Sequence, residues 1–570
     1  MKLKFVFIYL FIVELIYHVA EPQLFATSQK KFIELGWDIP DTQYLKENIE
    51  NMEKTAPFDG VIFYIRANAG TKIIDTQNSW DTNRWERSWF LQAIDDLKKT
   101  RFQKFSDNFV RFNSTPGNIR WDDDDGWKNL CEKAEICAWI IRETNQKGLA
   151  IDFESYGKPQ FKYDTSSGLS FQQCKVLARK RGRQFIQAIA KEKPDITILT
   201  LWLNSINFRA GNSEDPDEVL QGEFYGLLPS FADGMLDGLP QSMKIVDGCE
   251  SGYYMDSLQD YLLAANNMRS WNGPAIRLVS EENHRKYLAQ VQAGFGFYLD
   301  MYVNEKGNRY YFGPLDGSRL KRLYRNLSAA YCAADEYVWV YGEQCRWWTK
   351  PTQKNWYDNL SKTQGKGKMW EEVMPGLTRT ILWIKNPLAL AKSEIETGKA
   401  NKSITNLVIN NDFSTPPRDG VKLPYGFSSW QVENNVTGEF LWDKAVGNGS
   451  ALARKVTWGC LIQKHKVSSG EIYYVSSEGL KNGSAHIDLM IRWQDLNGKW
   501  TAESKDAIFN FKPHTNGWLK AEGVVEVPEN AGFLLILLNV KNQTGNKDDC
   551  WFDNIELYRL PPLFEPKNGF

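Results

Sequence analysis

The chain has 570 residues, too many for one compact core, so two or three domains are expected. Its 42% hydrophobic and 24% charged content is globular and excludes a disordered chain, and a formal net charge of −1 offers no broad basic surface to nucleic acid. Only His284 lies between residues 21 and 400, which argues there against a Ser-His-Asp triad, a Cys-His pair or a two-histidine zinc site and leaves acid–base chemistry to carboxylates.

Lys2 and Lys4 precede an apolar run over 5–13 that resumes at 15–17, and Ala20 can end a leader. Residues 1–20 are read as a signal peptide, giving a secreted, periplasmic or cell-surface protein; an uncleaved anchor is the alternative. No later stretch resembles a membrane span, so no stable span is expected. Export permits disulfides among the eight cysteines, but the sequence does not fix their pairing. Nothing in it bears on oligomeric state.

From about 30 to 391, short apolar runs alternate with helical patterns. Strands are expected over 32–38, 60–66, 108–113, 148–154, 196–203, 243–247, 293–301 and 337–341, with helices such as 127–144, 170–191 and 319–334 between them. Eight such units predict an α/β fold of the (β/α)8 TIM-barrel type; an open doubly wound sheet is the alternative, disfavoured because no Gly-rich phosphate loop follows the first strand. Asp122 to Asp125 are expected to cap the helix that follows them, and Arg179 to Arg183 to form a solvated helix face.

A polar stretch over 392–403 ends the barrel texture. Alternating runs follow at 484–493, 507–511, 523–527, 533–540 and 550–558, a β-sandwich pattern over 403–560.

Barrel active sites lie at the C-terminal ends of the strands. Asp152 and Glu154 are two apart on the fourth strand, so they share a face while Ile151 and Phe153 take the other. Two carboxyls held close push their pKa values apart, which supplies a general acid beside an ionised partner, as glycoside hydrolysis needs. The plainer alternative is an ion pair with Arg66 or Arg111. We expect Glu154 as acid/base, Asp152 as the group that tunes it, and Glu250 as the opposing carboxylate. Glu343 is a further catalytic candidate; it lies among Trp339, Tyr341, Arg346, Trp347 and Trp348, which reads either as a sugar subsite or as an aromatic corner with a Glu343–Arg346 pair. Substrate contacts are expected from Trp37, Asp38, Tyr156, Trp202, Asp247, Tyr253, Asp300, Tyr341 and Trp347.

Two resemblances bear on these readings. The stretch 148–154, Gly-Leu-Ala-Ile-Asp-Phe-Glu, resembles the fourth-strand motif of chitinase-like barrels, in which an acid Glu follows an Asp by two residues; Lys147 and Ala150 stand where that family has aspartates. A strand-four plus strand-six carboxylate pair is similar in position to the α-galactosidase-like barrels. No established glycosidase family is assigned. The C-terminal segment opens with Asn-Leu-Val-Ile-Asn-Asn-Asp-Phe at 406–413, continues with Gly426, Phe427 and Trp430, and closes with Trp-Phe-Asp-Asn-Ile-Glu-Leu at 551–557. It resembles the CenC-type carbohydrate-binding module, a jelly roll. That resemblance implies a carbohydrate ligand and a structural calcium ion near Asp412 and Asp553, against a turn cap and a backbone contact as the plainer roles. No cofactor is expected for catalysis. The sequence thus points to a secreted glycoside hydrolase acting on a poly- or oligosaccharide. A non-catalytic glycan-binding protein with a degenerate barrel, or a lyase or transferase, are the alternatives.

Overall fold

The computed structural model describes residues 30–70, 72–348, 368–432, 438–501, 503–543 and 548–564. The expected signal peptide lies outside them. The chain divides into two compact units between Ile381 and Leu382.

The first unit is built on parallel strands. In order they are Lys31–Gly36, Gly60–Phe63, Phe109–Asn113, Gly148–Asp152, Thr197–Thr200, Lys244–Asp247, the pair Val291–Ala293 and Phe295–Tyr298, and Tyr337–Gly342. Each pairs in parallel with the next, and the last pairs with the first from Lys31↔Tyr337 to Gly36↔Gly342. Val291–Ala293 pairs with the sixth strand and Phe295–Tyr298 with the eighth, so the two pieces act as one seventh strand interrupted at Gly294. The Gly294 N–H donates to the Asp247 carbonyl at 2.8 Å, and a Cβ there would meet Val246 Cγ1 at 2.7 Å and the Tyr337 carbonyl at 3.0 Å. Only glycine lets both neighbours approach. The eight units counted from the sequence are therefore a barrel and not an open sheet.

Helices follow the strands on the outside. Asp123 caps Asp124–Thr144, its side chain accepting from the Gly126 N–H, and Ser170 with Gln173 forms a capping box on Phe171–Glu192. Helix Phe171–Glu192 crosses helix Leu228–Gly238 closely: a Cβ on Gly182 would lie 1.9 Å from the Phe231 carbonyl, and one on Gly234 1.9 Å from the Arg179 carbonyl. Much of the aromatic content is spent here. Trp80, Trp127, Phe153, Phe161 and Phe185 surround Phe231 with centroids 5.5–6.2 Å away, and Trp121 stacks on Trp127 at 5.1 Å. The basic run is a solvated face only in part: Lys180 and Arg183 are exposed, whereas the other two cations are engaged. Arg181 is buried against the Trp121 carbonyl, and Arg179 pairs with Asp233, Asp237 and Glu282.

The first strand also carries an acid. Glu34 is buried beside Asp38, and burial followed by the Asp38 charge pushes its carboxyl well above the carboxylate range.

The second unit is an antiparallel two-sheet sandwich. One sheet orders Ser428–Gln431, Trp458–Lys466, Phe533–Lys541, His486–Gln494 and Trp500–Thr501, with Ala507–Asn510 also on His486–Gln494. The other orders Glu439–Asp443, Ser450–Arg454, Cys550–Leu560, Ile472–Lys481, Leu519–Glu526 and Lys512–Pro513. Leu461, Val475, Leu489, Trp493, Ile536 and Phe552 are among the fully buried residues between them. Helix Pro387–Ala400, across which the sequence reading draws its boundary at 391, covers the outer side of the second sheet: Ala391 and Ile395 pack on Ile472, Tyr474, Tyr558 and Leu560. The two end motifs of the module meet. Asn406 accepts from the Leu557 N–H and donates to the Ile555 carbonyl, and Leu407 N–H donates to the Leu557 carbonyl.

All eight cysteines are free thiols. Among the described residues, no helix is long and apolar enough to cross a membrane.

Candidate active site

The C-terminal ends of the barrel strands open into a cleft of about 380 Å³. It gathers Asp152, Glu154, Glu250 and Glu343, with Tyr156, Trp202, Tyr253 and Tyr341 from the other expected contacts. The sequence reading did not single out Tyr298, Asn304, Asn308, Tyr310 or Gln344, which also line it, and named Arg111 only as an ion-pair partner.

Asp152 closes the fourth strand, and the period-2 alternation sends Phe153 outward into the Phe231 cluster. The Asp152 carboxylate accepts the Glu154 N–H at 2.9 Å and lies 3.5 Å from Arg111 Nη2. Burial raises it to about 6, and Arg111 opposes that rise. Asp152 thereby fixes the backbone from which Glu154 projects.

Glu250 follows the sixth strand. Cys249 before it holds φ 34° and ψ 71°, a left-handed conformation that is costly for a non-glycine residue. That turn brings Glu250 into the cleft, with its N–H on the Leu201 carbonyl. Burial, then the charges of Asp152, Glu154 and Glu343, push its carboxyl up to about 8. Glu250 therefore keeps its proton at neutral pH.

Glu343 leaves the eighth strand. Its Oε1 accepts from the Tyr341 hydroxyl at 2.9 Å, and that hydroxyl accepts from Trp37 Nε1 at 2.9 Å. Its ring neighbours form a wall: Tyr253–Tyr298 centroids are 5.0 Å apart, Tyr298–Tyr341 5.3 Å, and Tyr253 lies parallel to Tyr341 within 4°. Trp202, which also lines the cleft, is buried edge-on against Tyr225 at 5.2 Å, and its Nε1 has no hydrogen-bond partner.

Five expected contacts do not line the cleft, and the three aspartates among them hold backbone instead. Asp247 is fully buried and accepts from the Leu203 and Ser205 N–H groups and the Ser205 hydroxyl. Asp300 accepts the Glu343 and Gln344 N–H groups at 2.8 and 3.0 Å, and burial raises it to about 7. Asp38 accepts the Trp347 N–H at 2.6 Å, and Trp347 itself is buried edge-on against Phe58. Trp37 reaches the site through Tyr341.

In the sandwich, Asp412 accepts from the Ser414 N–H and hydroxyl, and Asp553 from the Asn554 N–H. Burial, then the Glu478 and Asp412 charges, raise Asp553 to about 6 against the Asn554 N–H. Among the described residues, no three His, Cys, Asp or Glu side chains converge as a metal site would require.

No protein-family model matches the chain, and no curated protein sequence matches it. Among solved structures, the enzymatically active domain of tailspike protein 4 of bacteriophage CBA120 is 15% identical over 27% of this chain and 21% of its own, with a TM-score of 0.22. The CBM22-1 xylan-binding domain of Paenibacillus barcinonensis Xyn10C is 14% identical over 26% of this chain and 91% of its own, with a TM-score of 0.19. The arabinose-bound MgGH51 α-L-arabinofuranosidase is 10% identical over 27% of this chain and 26% of its own, with a TM-score of 0.21.

Proposed function

We propose that the chain is an exported glycoside hydrolase acting on a poly- or oligosaccharide. The observation that carries this is the meeting of Glu250, raised to about 8, with Glu154 in one aromatic-walled cleft. A protonated carboxyl beside a second carboxylate is the pair glycosidic cleavage uses. Glu250 gives its proton to the leaving oxygen, and Glu154 serves as base or nucleophile. The sequence reading gives the acid's role to Glu154; the raised Glu250 favours the reverse. Asp152 orients Glu154 through its N–H. Tyr253, Tyr298 and Tyr341 offer ring faces to a sugar, and Trp202 Nε1 offers a donor to one of its oxygens.

The sandwich is proposed to hold polymer. Registered pairs put Ile462, Leu537, Met490 and Ile508 in one row on the outer face of its first sheet, with Trp430 beside Cys460 in the next row. Trp430 and Trp458 are about half exposed, at 45% and 50%. Aromatic faces on such a platform suit pyranose rings. The proposed export rests on Lys2, Lys4 and the apolar run after them.

The test is a panel of polysaccharides assayed for new reducing ends, with Glu250→Gln and Glu154→Gln as controls. Release by the native chain that both variants lose supports the reading. Binding without release by the native chain favours a glycan-binding protein.

A further inference from the structure

We propose that the cleft takes a glycan bearing protonated amino groups, with Glu343 as the carboxylate that receives the ammonium. This rests on the hydrolase reading only for where the sugar chain lies; its own argument is charge and shape. The charged side chains lining the cleft are Arg111, Asp152, Glu154, Glu250 and Glu343. Arg111 is engaged, its Nε donating to Asn113 at 2.9 Å and its Nη2 facing Asp152. Asp152, Glu154 and Glu343 face this one guanidinium, and with Glu250 protonated the cleft is net anionic.

The proposed chemistry uses Glu250 and Glu154, and Asp152 is tied to Arg111 and the Glu154 N–H. Glu343 is left without a task, yet it is carefully held. Tyr341 donates to its side chain, and Asp300 anchors its peptide N–H. The Glu343–Arg346 pair considered from the sequence is not what fixes it; the Arg346 charge acts on Asp38. Beside the carboxylate stand the rings of Tyr253, Tyr298 and Tyr341. A fixed carboxylate against aromatic faces is the chemistry that recognises an ammonium, through ion pairing and cation–π attraction together. The same charge repels uronate and sulfate groups, so the cleft discriminates by repulsion as well as by attraction.

Tryptophan fluorescence titration of the full chain at about pH 6, where a sugar amine carries its proton, tests this. The probes are the tetramers of glucosamine and galactosamine, their fully N-acetylated forms, cellotetraose and tetragalacturonate. One amine tetramer should bind roughly tenfold tighter than its acetylated form, and the uronate weakest of all. That preference should shrink at high salt. Glu343→Gln, with folding checked by circular dichroism, should narrow it to about twofold; if the variant does not fold, the salt dependence of the native chain decides. Equal affinity for amine and acetylated tetramers, no binding of either amine tetramer, or tighter uronate binding overturns the proposal. The two readings fail separately. Amine-selective binding with no cleavage of any glycan sinks the hydrolase and keeps the amine site; cleavage of neutral polymers without amine preference does the opposite.

Discussion

Replacing Glu250 with Gln should slow catalysis sharply and stabilise the fold at once. At neutral pH the folded site holds a proton that an ordinary glutamate releases at 4.5, because burial and three neighbouring carboxylates raise it to about 8. At pH 7 the native chain is thus 2.5 pKa units from its unfolded preference, worth about 3.4 kcal/mol at 1.36 kcal/mol per unit. Partial contact with solvent reduces this to about 2–3 kcal/mol. The sign follows from the raised pKa: the native state binds the extra proton, so stability falls as pH rises from about 4.5 to about 8. Gln keeps the shape and has no proton to lose, so Glu250→Gln should gain about 2–3 kcal/mol in urea unfolding at pH 7 and nothing near pH 4. On a substrate the native chain cleaves, turnover should fall by about 10²–10⁴-fold, and native activity should decline above about pH 8 as the acid ionises. A variant less stable than native at pH 7, or one that keeps its turnover, refutes the assignment of Glu250 as the protonated acid.

Three further outcomes are expected. Trp202→Phe removes a buried donor with no partner, so it should cost no stability while weakening oligosaccharide binding by about three- to tenfold in the same titration. Asp553→Asn, without added metal, should raise Tm at pH 7, because the raised carboxyl makes the native module more stable as pH falls from about 6 toward 4. A Tm rise with Ca²⁺ that this substitution removes would instead put a cation there. A chain ending at Lys385, before the helix that packs on the sandwich, should turn over short soluble substrates as the full chain does and act more weakly on polymers. Loss of short-substrate turnover with the barrel still folded would refute that division.

The barrel was legible because parallel strands are buried on both faces and read as apolar runs, each followed by a helical period. The boundaries missed where backbone geometry intervenes, as at the seventh strand, which Gly294 splits. In the sandwich, five strands between Ser428 and Lys481 escaped the sequence reading. Ile472–Lys481 has helix Pro387–Ala400 on its outer side, so its alternation is lost in Ile472, Tyr473, Tyr474 and Val475. Trp458–Lys466 turns Cys460 and Ile462 outward, which blurs the contrast in the same way. At the site, period-2 reasoning picked out Asp152 and Glu154, and strand-end position picked out Glu250 and Glu343, all of which line the cleft. The same rule also picked up Asp38, Asp247 and Asp300, because a carboxylate that holds a loop and one that faces a ligand occupy the same place in the sequence. Asn304, Asn308 and Tyr310 sit on the irregular segment after the seventh strand, where no period marks them.

The pairing of Lys31–Gly36 with Tyr337–Gly342 spans some three hundred residues, and it gives the buried acid on that first strand a second meaning. A chain made from its N-terminus at about 5–20 residues per second waits tens of seconds before residue 337 exists. Through that interval one edge of the first strand has no partner, and Phe32, Ile33 and Leu35 lie along it. Such an edge invites strands from other nascent chains. While exposed to water, Glu34 is an ionised carboxylate in the middle of this sticky segment, and like charges on neighbouring chains repel one another. Once the eighth strand arrives and closes the barrel over it, burial pushes the Glu34 carboxyl well above the carboxylate range, which favours the uncharged form. The charge that disfavours edge-to-edge association is thus strongest while that edge is open.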